Sequence, residues 1–220
     1  VGILALFVSD VLYVDYFVRA VEVLADLSNP LYLPELSIGG GLGVSYLEED
    51  NAPSITEWGK AVKSACLQSN IKAKVTAEPG RAIAASAAVT LYRVGTIKHL
   101  QGLRTYVAVD GGMSDNPRPV LYGSGYETFL PRSMNAVRDQ SIRVVGKHCE
   151  SGDLLVREGW VPSDMKVGDL IATPVTGAYG HSMGSNYNQI LRPPVVFVKE
   201  GEAKEVVARE TFADLVRRER

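Results

Sequence analysis

The sequence predicts an α/β fold followed by a β-rich one. Parallel strands with crossover helices, the last three units of a partial (β/α) barrel, occupy residues 1–101. An antiparallel β-sandwich or barrel with a short terminal helix occupies residues 102–220. Three observations predict this division. Over the first part, helical apolar spacing and short extended runs alternate in the order strand, helix, strand, helix, strand, which implies parallel strands. Beyond it, short strand-like runs follow one another across glycine-bearing turns, as in antiparallel sheets. Two strand-like runs of the first part also end in corners that cannot continue a strand, Gly39-Gly40-Gly41-Leu42-Gly43 and Glu78-Pro79-Gly80-Arg81.

The elements follow in order. Val1-Gly2-Ile3-Leu4-Ala5-Leu6-Phe7 reads as a buried strand that opens abruptly and without Met, so we expect the first part of a longer protein to be missing. Ser9 or Asp10 is positioned to cap a helix to about Asp26, with Val14, Phe17, Val18, Val21 and Leu24 at spacings of three and four. Asn29-Pro30 and Pro34 break the chain before a strand from Glu35 to Ile38, which the glycine turn closes. After the polar loop Glu48 to Pro53, Ser54 and Glu57 form a capping box. Ile55, Trp58, Val62 and Ala65 make the stripe of a second helix, with Cys66 beside it as core packing. A strand from Ile71 to Thr76 leads into Glu78-Pro79-Gly80-Arg81. A complete (β/α)8 barrel takes roughly 250 residues, so this part cannot close one alone.

From about Ser86 the runs Val89 to Ile97, Tyr106 to Asp110, Ile142 to Val145, Leu154 to Val156, Leu170 to Thr173, Val195 to Lys199 and Glu205 to Arg209 read as strands. Thr211 caps a terminal helix with Phe212 and Leu215 on one side, and the boundary between the two parts is expected at Gln101-Gly102.

Composition narrows the function. Of 220 residues, 46% are hydrophobic and 22% charged, with a net charge of −2. That balance argues against a general nucleic-acid binder. No apolar run approaches the roughly 18–20 residues of a membrane span, and no signal-peptide pattern is present. Cys66 and Cys149 are the two cysteines, which is no disulfide framework, so a cytoplasmic setting is expected. The sequence has no HExxH, paired CxxC or P-loop motif, so metal and nucleotide readings find no support.

The motifs each admit two readings. Gly39 to Gly43 is a tight turn or a loop for an anion, and a second corner one βα unit later favours the anion. Arg81 is a phosphate or carboxylate clamp, or an ion-pair partner of Glu78. Glu78, on a barrel rim, suits a group that keeps a ring nitrogen protonated. In Lys147-His148-Cys149-Glu150-Ser151-Gly152-Asp153, Cys149 is a proton donor or nucleophile, or merely buried. Glu150 can receive a substrate ammonium, and Lys147 is a weak candidate for a Schiff-base lysine. His148 points away from Cys149 if the strand is extended. The segments Asp110-Gly111-Gly112-Met113-Ser114-Asp115-Asn116, Arg118 to Tyr122 and Gly177-Ala178-Tyr179 to Asn188 are turns by composition, yet dense in donors and acceptors. His99 and His181 read as strand-end and loop residues.

Together, in this order and spacing, the glycine turn, Glu78-Pro79-Gly80-Arg81, Asp110 to Asn116, Cys149-Glu150-Ser151-Gly152-Asp153 and Gly177-Ala178-Tyr179 through Tyr187-Asn188 resemble the fold-type III pyridoxal-phosphate-dependent decarboxylases, in the branch that acts on diaminopimelate. The resemblance covers nearly the whole chain. It implies a pyridoxal 5′-phosphate (PLP)-binding barrel joined to a β-domain, in a head-to-tail homodimer with active sites shared between protomers. It implies that Gly39, Gly40, Gly41, Gly80 and Arg81 hold the cofactor phosphate, that Glu78 pairs with the pyridine nitrogen, and that Tyr179 lies against the cofactor and substrate. Arg81, Arg118 and Tyr122 would bind the far end of the substrate, a small amino acid. Cys149 would reprotonate the product and Glu150 recognise the distal amino group, both from the partner subunit.

The implied reaction converts meso-2,6-diaminopimelate to L-lysine and CO2. Two arginines and a glutamate suit a far end carrying both carboxylate and ammonium, whereas relatives acting on ornithine usually have Cys-Asp where this chain has Cys149-Glu150. Alternatives are a decarboxylase for ornithine, arginine or carboxynorspermidine, or a non-catalytic homologue. The chain also departs from the pattern. Ile3 stands where the family has a phosphate-contacting Ser, Ser37 stands where Asp usually precedes the glycine turn, and the Schiff-base lysine belongs to the missing half. The 220 residues are therefore expected to be inactive alone.

Overall fold

In the computed structural model, which describes residues 2–5 and 10–220, the chain divides into two compact units, Val1–Ala88 and Val89–Arg220. The first unit is α/β. Strand β1 (Gly2–Leu4), helix α1 (Val14–Ser28), strand β2 (Glu35–Ser37), helix α2 (Ile55–Gln68), strand β3 (Lys74–Thr76) and the short helix α3 (Gly80–Ala84) follow in turn. The strands form a parallel sheet in the order β1-β2-β3, with Ile3 beside Leu36 and Leu36 beside Val75. The connections that carry α1 and α2 are long enough for parallel pairing. Of the expected opening strand, Val1, Leu6 and Phe7 lie outside the described residues.

The core of this unit is built from the residues that helical spacing selects. Phe17, Val21 and Leu24 of α1 meet Trp58, Val62 and Ala65 of α2 and Leu36 and Ile38 of the sheet. Phe17 and Trp58 meet edge-on, with ring centroids 5.7 Å apart, a geometry worth about 0.5–1.5 kcal/mol beyond the area it buries. Cys66 packs against this core, and burial pushes its thiol pKa up. Ile55, expected in the stripe, is exposed at the first helical position.

The start of α1 differs from expectation. Its cap is Tyr13, with no side-chain hydrogen bond. Ser9 lies outside the described residues, and Asp10 spends its carboxylate on Arg81 instead. The Ser54–Glu57 capping box at the start of α2 is present as expected. Glu57 N donates to Ser54 Oγ (3.1 Å), and Ser54 N donates to Glu57 Oε2 (2.8 Å).

The second unit is a mixed β structure. Strands β4 (Val89–Leu100) and β5 (Arg104–Val109), helix α4 (Arg118–Tyr122), strands β6 (Gln140–Val145), β7 (Leu154–Val161) and β8 (Leu170–Pro174), and helix α5 (Gly180–Met183) come first. The hairpin strands β9 (Val195–Lys199) and β10 (Glu202–Val207) and helix α6 (Phe212–Val216) complete it. The main sheet has the order β7-β6-β5-β4-β8. It is not antiparallel throughout, as the turn pattern led us to expect: β5 and β6 pair in parallel, Val107 beside Val144. Only a long crossover permits that pairing, and the stretch containing α4 provides it. Inward-facing Tyr92, Val94, Val107, Val109, Ile142, Val144, Leu155 and Ile171 make the core of the sheet.

The expected boundary at Gln101-Gly102 is, in the structure, the turn from β4 to β5, with Gly102 at φ 70°. Strand β4 pairs with β5 and β8, so its residues belong to the second unit. The hairpin turn Glu200-Gly201 has positive φ at both positions, 53° and 83°. This twist suits a two-residue loop and starts β10 earlier than the expected Glu205. The terminal helix carries the box Thr211–Asp214, but its Phe212 is exposed.

Replacing Ser54 by Ala should destabilise the first unit by about 1 kcal/mol, seen as a lower urea midpoint with an unchanged slope. An unchanged midpoint would mean that the cap contributes nothing.

Candidate functional site

In the first unit the two corners form one rim. Ser37 Oγ, at the end of β2, accepts from Gly39 N and donates to Glu78 Oε1, both at 3.1 Å. Glu78 N in turn donates to the Gly39 carbonyl at 2.8 Å. Ser37, noted in the sequence only as a departure, thus ties the glycine turn to the carboxylate. Glycine is required here for two separate reasons. Gly39 and Gly41 have φ of 69° and 99°, and a Cβ on Gly40 would stand 2.3 Å from the Glu78 carbonyl oxygen. The Glu78 side chain is exposed at this rim.

Arg81 lies in α3 and is buried. Its Nη1 donates to Asp10 Oδ2 and to the Tyr46 hydroxyl, each at 3.0 Å, and its guanidinium lies 5.7 Å from the Tyr46 ring centre. Val11 next to Asp10 bonds to the glycine turn, Val11 N to Gly41 O (2.8 Å) and Gly43 N to Val11 O (3.0 Å). Asp10 and Tyr46 escaped the sequence reading. No spacing links them to Arg81, and only the parallel sheet brings them together.

In the second unit, Arg118, Tyr122 and Tyr179 lie together. The Arg118 guanidinium is buried, 5.6 Å from the Tyr122 ring centre and 5.5 Å from that of Tyr179. Such contacts favour a cation over an aromatic face. Arg118 Nη2 also donates to Ser124 Oγ at 3.0 Å. Tyr179 has φ 70°, a conformation uncommon for a non-glycine residue.

Cys149 and Glu150 lie in the turn from β6 to β7 and are exposed. His148 before them turns inward, opposite to Cys149, and is buried. The turn is fastened by Asp153, whose carboxylate accepts from Met113 N (2.7 Å), His148 N (2.8 Å) and His148 Nδ1 (3.0 Å). Glycines permit the approach: a Cβ on Gly112 would meet His148 Nδ1 at 2.3 Å, and one on Gly146 would meet Asp153 Oδ2 at 2.1 Å. Lys147 N donates to Gly111 O, and Ser185 N to Ser114 O. Three loops, carrying Asp110 to Asn116, Cys149-Glu150 and Tyr179 to Asn188, are therefore joined. Sequence reading quoted Asp153 and Tyr187 within motifs but gave them no role. Tyr187 donates its hydroxyl to Glu150 and stacks on His148.

A separate cleft of about 250 Å³ in this unit is lined by Tyr92, Asp110, Asp115, Lys147 and Arg209 among others, and by none of the residues to which the resemblance assigns a role. Burial there pushes the Asp115 carboxyl up and the Tyr92 phenol well up. Among the described residues no group of His, Cys, Asp and Glu could hold a metal ion, and no helix is long and apolar enough to cross a membrane.

Comparison with known proteins gives a consistent result. Residues 6–177 match the family model described as "Pyridoxal-dependent decarboxylase, C-terminal sheet domain". The diaminopimelate decarboxylase of Synechocystis sp. is 48% identical over 198 residues, covering 88% of this chain and 42% of that protein. The Bacillus subtilis enzyme of the same name is 44% identical over 187 residues, covering 83% of this chain and 42% of that protein. The chain thus spans under half the length of these relatives. Among solved structures, diaminopimelate decarboxylase from M. jannaschii in co-complex with L-lysine superposes with a TM-score of 0.90 at 27% identity, over 100% of this chain and 52% of that one. The Helicobacter pylori enzyme complexed with L-lysine gives 0.87 at 28% identity, over 99% of this chain and 54% of that one.

Gly40→Ala should cost about 1–3 kcal/mol, because the rim has no room for the methyl. Gly80→Ala, whose Cβ meets nothing within 4 Å, should change stability by less than about 0.5 kcal/mol. Urea unfolding of the two variants side by side tests the rim, and equal effects would refute it.

Proposed function

The chain belongs to the pyridoxal-dependent decarboxylases, and from that premise we propose that it is the C-terminal part of an enzyme converting meso-2,6-diaminopimelate to L-lysine and CO2. On this reading the first unit supplies the last three βα units of a (β/α)8 barrel, and the second unit is the attached β-domain. The enzyme works in the cytoplasm as a head-to-tail homodimer with shared active sites.

The observation that carries this reading is the single rim formed by the glycine turn and Glu78. Its residues fit pyridoxal 5′-phosphate. The side-chain-free turn at Gly39, Gly40 and Gly41, with the Gly80-Arg81 corner, would hold the phosphate. The exposed Glu78 carboxylate would hold the pyridine nitrogen protonated, and Tyr179 would rest against the ring. When bound, the cofactor supplies an electron sink for the pair of electrons left as the carbon–carboxylate bond breaks.

The remaining side chains bind and protonate. Arg118, with Tyr122, holds the distal carboxylate through charge-assisted hydrogen bonds. Glu150 receives the distal ammonium. Once CO2 has left, the Cys149 thiol gives its proton to the carbon that lost it, and the thiolate recovers a proton from water. Cys149 and Glu150 act in the site of the partner subunit. An exposed turn fastened at its base by Asp153 suits such a reach, since the backbone is held while the two side chains stay accessible.

Full-length protein should release CO2 from meso-diaminopimelate and not from ornithine or arginine. Cys149→Ala should lower kcat by about 10²–10⁴, the range for loss of a positioned acid. Arg118→Ala should raise KM at least tenfold, as expected when a charged hydrogen-bond partner is lost. Unchanged turnover in either variant would refute the role assigned to that residue, and equal activity on ornithine would refute the substrate.

A further inference from the structure

Glu150 is an exposed side chain on a turn, and such a side chain loses rotamer freedom when a ligand fixes it. A neighbour that fixes it in advance removes that cost from binding. Tyr187 is such a neighbour, since its hydroxyl donates to Glu150 Oε1. The carboxylate pushes the Tyr187 phenol pKa up, so the phenol remains a donor. A carboxylate accepts at both oxygens, and a bond from Tyr187 to one of them is compatible with an ammonium at the other.

Tyr187 is itself held. Its ring stacks on His148, with centroids 5.7 Å apart and planes 13° from parallel. His148 is buried, and its Nδ1 meets Asp153 Oδ2 at 3.0 Å. An ionised carboxylate only accepts, so the proton of this bond sits on Nδ1. The same carboxylate takes Met113 N and His148 N. A buried base thus supports an aromatic plate, and the plate aims an exposed carboxylate.

We propose that Tyr187 is a positioning residue that orients Glu150 and so sets the preference for substrates carrying a distal ammonium. The proposal rests on the reading of Glu150 given above and adds the residue through which that selectivity is maintained.

The test uses the full-length enzyme loaded with cofactor and two substrates, meso-diaminopimelate and 2-aminopimelate, which keeps the distal carboxylate but lacks the distal ammonium. Tyr187→Phe keeps the ring on His148 and loses only the hydroxyl. It should raise KM for diaminopimelate about tenfold, the effect of one hydrogen bond to a charged group. It should change kcat by less than about threefold and leave KM for 2-aminopimelate unmoved. Glu150→Gln, measured in parallel, separates the two ideas. If Glu150→Gln loses the preference and Tyr187→Phe keeps it, the positioning role is wrong and the reading of Glu150 stands. If Glu150→Gln keeps the preference, both fall. A Tyr187→Phe variant that loses kcat equally on both substrates would show general structural damage and also overturn the proposal.

Discussion

The Asp153 carboxylate is the fastening on which the joined loops of the second unit depend. A carboxylate out of water is tolerated only when its oxygens are satisfied, and here three N–H groups converge on it. Because the donors come from two segments far apart in sequence, satisfying Asp153 and joining those segments are one event. The glycines at 112 and 146 follow from this, since a single methyl at either would occupy the space of the imidazole or the carboxylate. Cys149 and Glu150 inherit a fixed backbone from this arrangement without being buried by it.

The first unit solves a different problem with similar means. Its rim must leave a carboxylate exposed while bringing two backbone corners within hydrogen-bond distance. Ser37 does the joining through a small hydroxyl that both accepts and donates. Arg81, by contrast, is buried against Asp10 and Tyr46. Arg81 therefore organises the floor of the rim, because Asp10 precedes the residue that bonds to the glycine turn.

Much of this was legible in the sequence, and the reasons are specific. Phe17, Val21, Trp58 and Val62 declare their helices because packing on one face demands spacings of three and four. Ser54 and Glu57 declare a helix start because each satisfies a donor that the helix leaves free. The glycine turn and the Glu78 corner stand out because few other residues suit such backbone. What could not be read was non-local. The parallel pairing of β5 with β6 leaves no periodic trace, since period-two strands look alike in either direction. The Asp10–Arg81 and Tyr187–Glu150 contacts join residues with no sequence relation. Asp153 was quoted within a motif, yet its three donors are visible only once two loops meet. The cap of α1 went wrong because a short acidic residue has two uses, and the distant guanidinium won.

The parallel pair β5–β6 has a further consequence. An antiparallel hairpin closes locally, but these two strands cannot register until the intervening segment with α4 has looped back across the sheet edge. Closing so wide a loop costs entropy before any ladder bond repays it, which slows folding in proteins dominated by distant contacts. The segment that must loop back is the one bearing Arg118. Completion of the sheet and arrival of that guanidinium are thus coupled in time as well as in space.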